Sequence, residues 1–298
     1  IYRDAKNGAH CGIHTEDIHA DMAEIFAYKR AVSQKLSAGI ESLFKTAKID
    51  LLRGTHDRVT EMDFTIPAVR GYAEKIKASG FDGVLINITN PCDIVTRELA
   101  LHLGLPRGRV FGTGTGLDTS RLLSALARQT GIDHKSITCY MMGEHGNQQF
   151  APWSCVSFRG VPLDEWAKTD ERFRFDRDAL QKESIGGGWV TFSGKFCTEY
   201  GIATTAARMA YAVLHDEKVI LPASTELCGE YGEEGLFAGV PCVIGENGVE
   251  QVVERFEHFD IGVEVDAALV AVENENAQLF AQYKERRDEE GGCLLYTS

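Results

Sequence analysis

The stretch Gly83-Val-Leu-Ile-Asn-Ile constrains this chain more than any other. Its apolar residues run consecutively instead of alternating, so a strand formed there needs cover on both faces, the condition of a parallel sheet between helices. The flanks agree. Ahead of it, Ile66, Val69, Ala73 and Ile76 fall on one stripe of a helix read from about Phe64 to Ser79 and stopped at Gly80. Behind it, a helix starting near Asp93 runs to Gly104, with Pro106 just beyond as a stop. Helix, buried strand, helix is the rhythm of an α/β fold with a doubly wound parallel sheet.

Around this unit the chain divides in two. At its front, Ile1-Tyr2 running into Asp4 reads as the end of a strand whose start is missing. Thr15 before Glu16-Asp17 is a capping pattern for a helix bearing Ile18, Met22, Ile25 and Phe26, and Leu36, Ile40, Leu43 and Phe44 mark a second helical pattern. At Gly112 the texture changes to alternating glycine and threonine, so residues 1–112 are expected to form one domain and 113–290 an α+β second domain. The second is expected to hold a helix ending at Gly131, a strand from Ser136 to Met142, a helix from about Glu199 to His215, strands near Val219 and Cys242, an Asn247-Gly248 turn and a closing helix from about Ala267 to Arg286. Residues 291–298 read as a tail foreign to the fold.

Composition narrows the function. A net charge of −13 opposes phosphate backbones and anionic lipid, which disfavours nucleic acid and membrane surfaces as partners. No apolar run reaches the roughly 20 residues of a bilayer span. Eight cysteines, none in a C-x-x-C pair and none at metal-ligand spacing, read as free thiols in a reducing cytoplasm, with no metal expected. Small-molecule chemistry is what remains.

Asp118 and Arg121, three apart at a helix start, share a face. They form either a surface ion pair or a planar fork offered to a substrate carboxylate, with Asp118 serving a second partner. His145, in Gly143-Glu-His-Gly-Asn directly after a strand, is a candidate for that partner: flanking glycines clear space near the ring, and a carboxylate on one ring nitrogen fixes the tautomer. Arg58, after a glycine-containing stretch at 51–54, is either a solvated helix-start residue or part of a lid. Asn90, at the carboxyl end of the buried strand, is either a turn former before Pro91 or a donor to a ligand in the sheet's crevice.

Taken together, Asn90-Pro-Cys-Asp93, Gly112-Thr-Gly-Thr-Gly-Leu-Asp118-Thr-Ser-Arg121 and Gly143-Glu-His145-Gly-Asn, in that order and spacing, resemble the lactate/malate dehydrogenase family, most closely its L-2-hydroxyisocaproate dehydrogenase branch. The resemblance implies a Rossmann-type sheet followed by a catalytic domain, NAD as cofactor, a small 2-oxo or L-2-hydroxy acid as substrate, and a homodimer or homotetramer. It makes His145 the proton donor and acceptor, Asp118 its carboxylate partner, Arg121 the clamp on the substrate carboxylate and Arg58 the lid arginine that polarises the carbonyl. By the same resemblance Asn90 touches nicotinamide and substrate, and Thr198 lines the substrate pocket. Leu52, about six positions before Arg58, meets the substrate's side chain, so the tail is expected to be apolar. A register shifted by one puts Arg53 there instead and favours a second carboxylate. Trp189 and Phe192 incline the pocket toward apolar substrates, unless they are core.

The family's G-x-G-x-x-G is absent, as if about 30 residues were missing ahead of Ile1. Asp4 then matches the acid that binds the adenosine ribose. From Gly8 to Leu51 the chain departs from the family, with a helical Ile40–Ala47 where a strand is expected. Lactate dehydrogenase, malate dehydrogenase and a catalytically silent fragment are the competing readings.

Overall fold

Asp21 opens the first helix, α1 (Met22–Thr46): its Oδ1 accepts the backbone N–H groups of Ala23 at 2.8 Å and Glu24 at 3.1 Å. The computed structural model describes residues 21–46, 58–195, 198–254, 268–269, 271–274, 276–279 and 281–283. The two helical patterns expected before residue 47 are thus one continuous helix, capped at Asp21; the expected cap at Thr15 and the strand end at Ile1-Tyr2 lie outside the described residues. Helix α1 belongs to a compact unit of residues 1–54, and the elements that follow to one of residues 55–298.

The second unit begins with α2 (Arg58–Ala78), β1 (Leu85–Asn87), α3 (Cys92–Leu103) and β2 (Val110–Gly112). Strands β1 and β2 are parallel, with Leu85 opposite Val110 and Asn87 opposite Gly112, so the helix–strand–helix reading holds. Met62, Ile66, Val69 and Ala73 of α2 are buried with Ile94, Val95 and Leu99 of α3. Because Met62 joins this core, α2 starts well ahead of Phe64, and burial carries the helix through Pro67. Gly104, at φ 63°, ends α3 as expected.

Next come α4 (Gly116–Thr130), β3 (Ile137–Thr138), β4 (Met142–Gly143), β5 (Gln149–Phe150), β6 (Ser157–Phe158), β7 (Val161–Pro162), α5 (Leu163–Thr169), α6 (Arg177–Lys195) and α7 (Tyr200–Leu214). The hairpin of β8 (Val219–Cys228) and β9 (Glu234–Gly245) follows, then β10 (Gly248–Val252). The main sheet runs β1-β2-β8-β9-β4-β5 with β10 also on β9, and every pairing beyond β1–β2 is antiparallel. Strands β3, β6 and β7 form a smaller sheet. Described positions between 268 and 283 are helical, in keeping with the expected closing helix, and bury Leu269 and Val272 against the β8–β9 core.

The strand expected from Ser136 to Met142 is instead two short strands in different sheets. The reason lies at Met141, whose C=O accepts from Thr115 Oγ1 at 2.6 Å and whose N–H donates to Thr119 Oγ1 at 2.9 Å. With its N–H and C=O engaged by the Thr119 and Thr115 hydroxyls at the start of α4, Met141 makes no strand pairing. No described helix is long and apolar enough to cross a membrane, and Cys92, Cys139, Cys155, Cys228 and Cys242 are free thiols.

Candidate active site

His145 rides on the tip of the β4–β5 hairpin, where Met142 faces Phe150 and Gly143 faces Gln149. The tip is shaped by the buried Glu144, whose Oε2 accepts the N–H groups of Asn147 at 3.0 Å and Gln148 at 3.2 Å. That carboxylate occupies the space beside Gly146: a Cβ there would come within 2.3 Å of Glu144 Oε1. Gly143 adopts φ 95°, which only glycine takes up without strain. The flanking glycines therefore serve the folding of the loop itself, a tighter requirement than clearing space for a ligand.

Helix α4 brings the partner. Thr115 and Thr119, one turn apart, grip Met141 from both sides, and Asp118 between them is carried to the hairpin. Asp118 is 1% exposed and divides its carboxylate: Oδ2 lies 2.6 Å from His145 Nδ1, and Oδ1 accepts from Arg121 Nη1 at 2.6 Å. The ion pair with Arg121 is thus present, on a buried carboxylate instead of a surface one, and Asp118 serves His145 as its second partner. Burial pushes the Asp118 carboxyl upward, but the His145 hydrogen bond and charge, the Arg121 guanidinium and a hydrogen bond from Gln149 outweigh it and hold it below the usual carboxylate range. An ionised Asp118 makes Nδ1 the protonated nitrogen and favours the imidazolium.

Three participants were not legible beforehand. Asp93, in the first turn of α3, accepts the backbone N–H of His145 on Oδ2 at 3.0 Å and the hydroxyl of Ser224 on Oδ1 at 2.5 Å. Burial, reinforced by the nearby Glu144 charge, pushes its carboxyl up to about 6 against the lowering hydrogen bonds from Ser224 and His145. Gln149 donates from Nε2 to Gly146 O at 2.8 Å and helps hold the Asp118 carboxyl low. In the sequence Asp93 marks a helix start and closes the Asn90-Pro-Cys-Asp93 motif without a role of its own, and nothing near Ser224 or Gln149 marks them.

Arg121 lies against α6, where a Cβ on Gly187 would sit 3.2 Å from its Cδ and one on Gly188 3.3 Å from Nη1 and Nη2. Asn90 is exposed between β1 and α3, joined to Pro91 by a cis peptide bond and three residues ahead of Asp93. Thr198 is exposed just ahead of α7 and has no bond to the His145 cluster among the described residues. Arg58 opens α2, but its side chain, like those of Trp189 and Phe192, lies outside the described residues, as do Asp4, Leu52 and Arg53. The parallel strands β1 and β2 end at Asn87 and Gly112, with Asn90 exposed beyond that carboxyl edge, the edge at which a doubly wound sheet has room for a dinucleotide. Asp4, named for the adenosine end, falls outside the described residues.

Comparison with known proteins gives a consistent family. Residues 115–261 match the lactate/malate dehydrogenase alpha/beta C-terminal domain. The chain is 40% identical over 222 residues to an L-lactate dehydrogenase of Fusobacterium nucleatum, covering 72% of this chain and 70% of that protein. It is 39% identical over 200 residues to L-lactate dehydrogenase 1 of Bifidobacterium longum, where it spans only 63% of the relative's length. Among solved structures, the ligand-bound minor L-lactate dehydrogenase of Enterococcus mundtii superposes with a TM-score of 0.69 at 31% identity, over 77% of this chain and 72% of that one. The malate dehydrogenase of Salinibacter ruber superposes with a TM-score of 0.68 at 27% identity, over 78% and 74%. A buried aspartate carrying a histidine and an arginine, on a fold shared with these enzymes, places the chain in the lactate/malate dehydrogenase family.

Proposed function

We propose that this protein is an NAD-dependent L-2-hydroxy-acid dehydrogenase that interconverts a 2-oxo acid and its hydroxy acid. The observation that carries this reading is the division of Asp118 between His145 and Arg121, which sets a proton donor beside a carboxylate clamp. Among the described residues Asp118 is the only hydrogen-bond partner of Arg121, which leaves guanidinium N–H groups to meet a substrate carboxylate. His145, charged by its contact with Asp118, gives its Nε2 proton to the carbonyl oxygen and recovers it in the reverse direction. When bound, NADH supplies the hydride that the carbonyl carbon receives. Asn90 and Asp4 are the residues assigned to hold the cofactor, and Arg58 to steady the charge that develops on the oxygen. The domain boundary is assigned near Gly112, supported by the start of the matched C-terminal domain at residue 115.

Two readings of the substrate tail follow from different observations. Leu52 offers no charge to a second carboxylate, and burying a branched aliphatic tail gains roughly 1.5–3 kcal/mol, which favours 2-oxoisocaproate. The relatives named L-lactate dehydrogenase favour pyruvate. The two are separated by kcat/KM with NADH on 2-oxoisocaproate, pyruvate and oxaloacetate. The expected order puts 2-oxoisocaproate first; pyruvate ahead by tenfold makes the enzyme a lactate dehydrogenase, and oxaloacetate ahead by tenfold makes it a malate dehydrogenase.

A further inference from the structure

Asp93 is 2% exposed and stands outside the proton and carboxylate chemistry assigned above, yet both its oxygens are committed. One accepts the peptide N–H of His145 from 52 residues away, and the other accepts the Ser224 hydroxyl from 131 residues away. Ser224, itself fully buried on β8, pairs with Gly112 of β2 and with Gly239 of β9, and Gly239 in turn pairs with Gly143 of β4. A chain of strand pairings therefore runs from the base of the Asp93 carboxylate to the base of the His145 hairpin.

We propose that Asp93 is a positioning residue for His145: seated on Ser224 and the central sheet, its carboxylate fixes the backbone of the catalytic histidine while Asp118 fixes the ring. Two elements then hold one residue at two points, α3 by the peptide group and α4 by the imidazole. An imidazole tethered only through Nδ1 still swings about its Cα–Cβ and Cβ–Cγ bonds as the loop shifts. Holding the peptide group as well removes that freedom, and misplacement of an acid/base group by about 1 Å costs on the order of a hundredfold in rate. A buried carboxylate is expensive to desolvate, so the same space filled by an apolar residue is the cheaper solution for packing alone. The site keeps the carboxylate, and its two partners are the peptide of the catalytic residue and a hydroxyl anchored in the sheet.

The proposal rests on His145 acting as the acid/base, and its test has an arm that does not depend on activity. With 15N-histidine labelling, the His145 amide and ring resonances are followed in the 298-residue chain and in Asp93→Ala, Asp93→Asn and Ser224→Ala. Expected are slow exchange of the His145 amide in the parent, acceleration by about tenfold or more with displaced ring signals in Asp93→Ala, protection retained in Asp93→Asn, whose Oδ1 still accepts the N–H, and an intermediate shift in Ser224→Ala. In the active enzyme kcat falls by about tenfold or more in Asp93→Ala with KM changed by less than about threefold, and Asp93→Asn restores most of the rate. Unmoved His145 resonances in Asp93→Ala overturn the proposal, as does an Asp93→Asn rate no better than that of Ala. Should Asp93→Ala fail to fold, Ser224→Ala decides: a His145 amide unchanged in that variant overturns it too. A parent that reduces no 2-oxo acid sinks the proposed function instead, while the resonance arm still reads the positioning.

Discussion

Two buried carboxylates meet His145, and their titrations are displaced in opposite directions. Asp118, held below the usual range, contributes stability that is present above its unfolded pKa and lost as pH falls through the folded one. Asp93, raised from 3.8 to about 6, works the other way: between those values the native state binds the extra proton, so its contribution declines as pH rises and stays low above pH 6. Burial comes first among the causes, with the Glu144 charge adding to it. Asp93→Asn removes that penalty while keeping an acceptor for the His145 N–H. Its melting temperature is expected to match the parent near pH 4 and to exceed it by at least about 2–4 °C at pH 7.5, followed by circular dichroism; an advantage that shrinks with rising pH contradicts this. At this scale the sequence exposed what sits in compact motifs. Asp118, Arg121 and His145 were legible because short, glycine-rich segments bracket them. Asp93 and Ser224 were not, because their roles come from partners 52 and 131 residues distant.

Among the elements, α6 was hidden by its own glycines. Gly186, Gly187 and Gly188 run in sequence inside it, each costing about 1 kcal/mol relative to alanine in a helix interior, and no local propensity announces a helix there. Tertiary packing overrides this: Leu180 and Ser184 are buried, and α6 packs its glycine backbone against Arg121. The glycines differ in a testable way. A Cβ on Gly186 meets nothing within 4 Å, so Gly186→Ala is expected to gain about 0.5–1 kcal/mol, raise the melting temperature and leave kinetics alone. A Cβ on Gly188 presses on both terminal nitrogens of Arg121 at 3.3 Å, so Gly188→Ala is expected to raise KM for the 2-oxo acid by about tenfold with a smaller change in kcat. Equal KM values in the two variants, measured alongside the melting curves, contradict that role. Helices with a clean apolar stripe, α2 and α3, were legible; the split of the strand at 136–142 was not, since it depends on Thr115 and Thr119 capturing Met141.

Over the whole molecule, the α/β half followed from one buried strand and the helices on either side, because a run without alternation admits few arrangements. The antiparallel half was visible only as separate strands. Its order, β8 between β2 and β9 and β4 on the far side of β9, pairs Gly112 with Ser224 and Gly143 with Gly239, residues so far apart in sequence that they leave no local pattern. Yet that order delivers the chemistry, since it sets the His145 hairpin on the same sheet as the parallel pair and lets α3 and α4 reach the histidine from separate directions. The central claim is that His145, charged by Asp118, exchanges the proton with a 2-oxo acid. It is tested most directly by following NADH oxidation with 2-oxo acids in the active parent enzyme and in His145→Asn, with NADH binding measured on both. The predicted result is a fall in turnover of about a hundredfold or more with NADH affinity nearly unchanged, whereas turnover close to the parent's at neutral pH would contradict it.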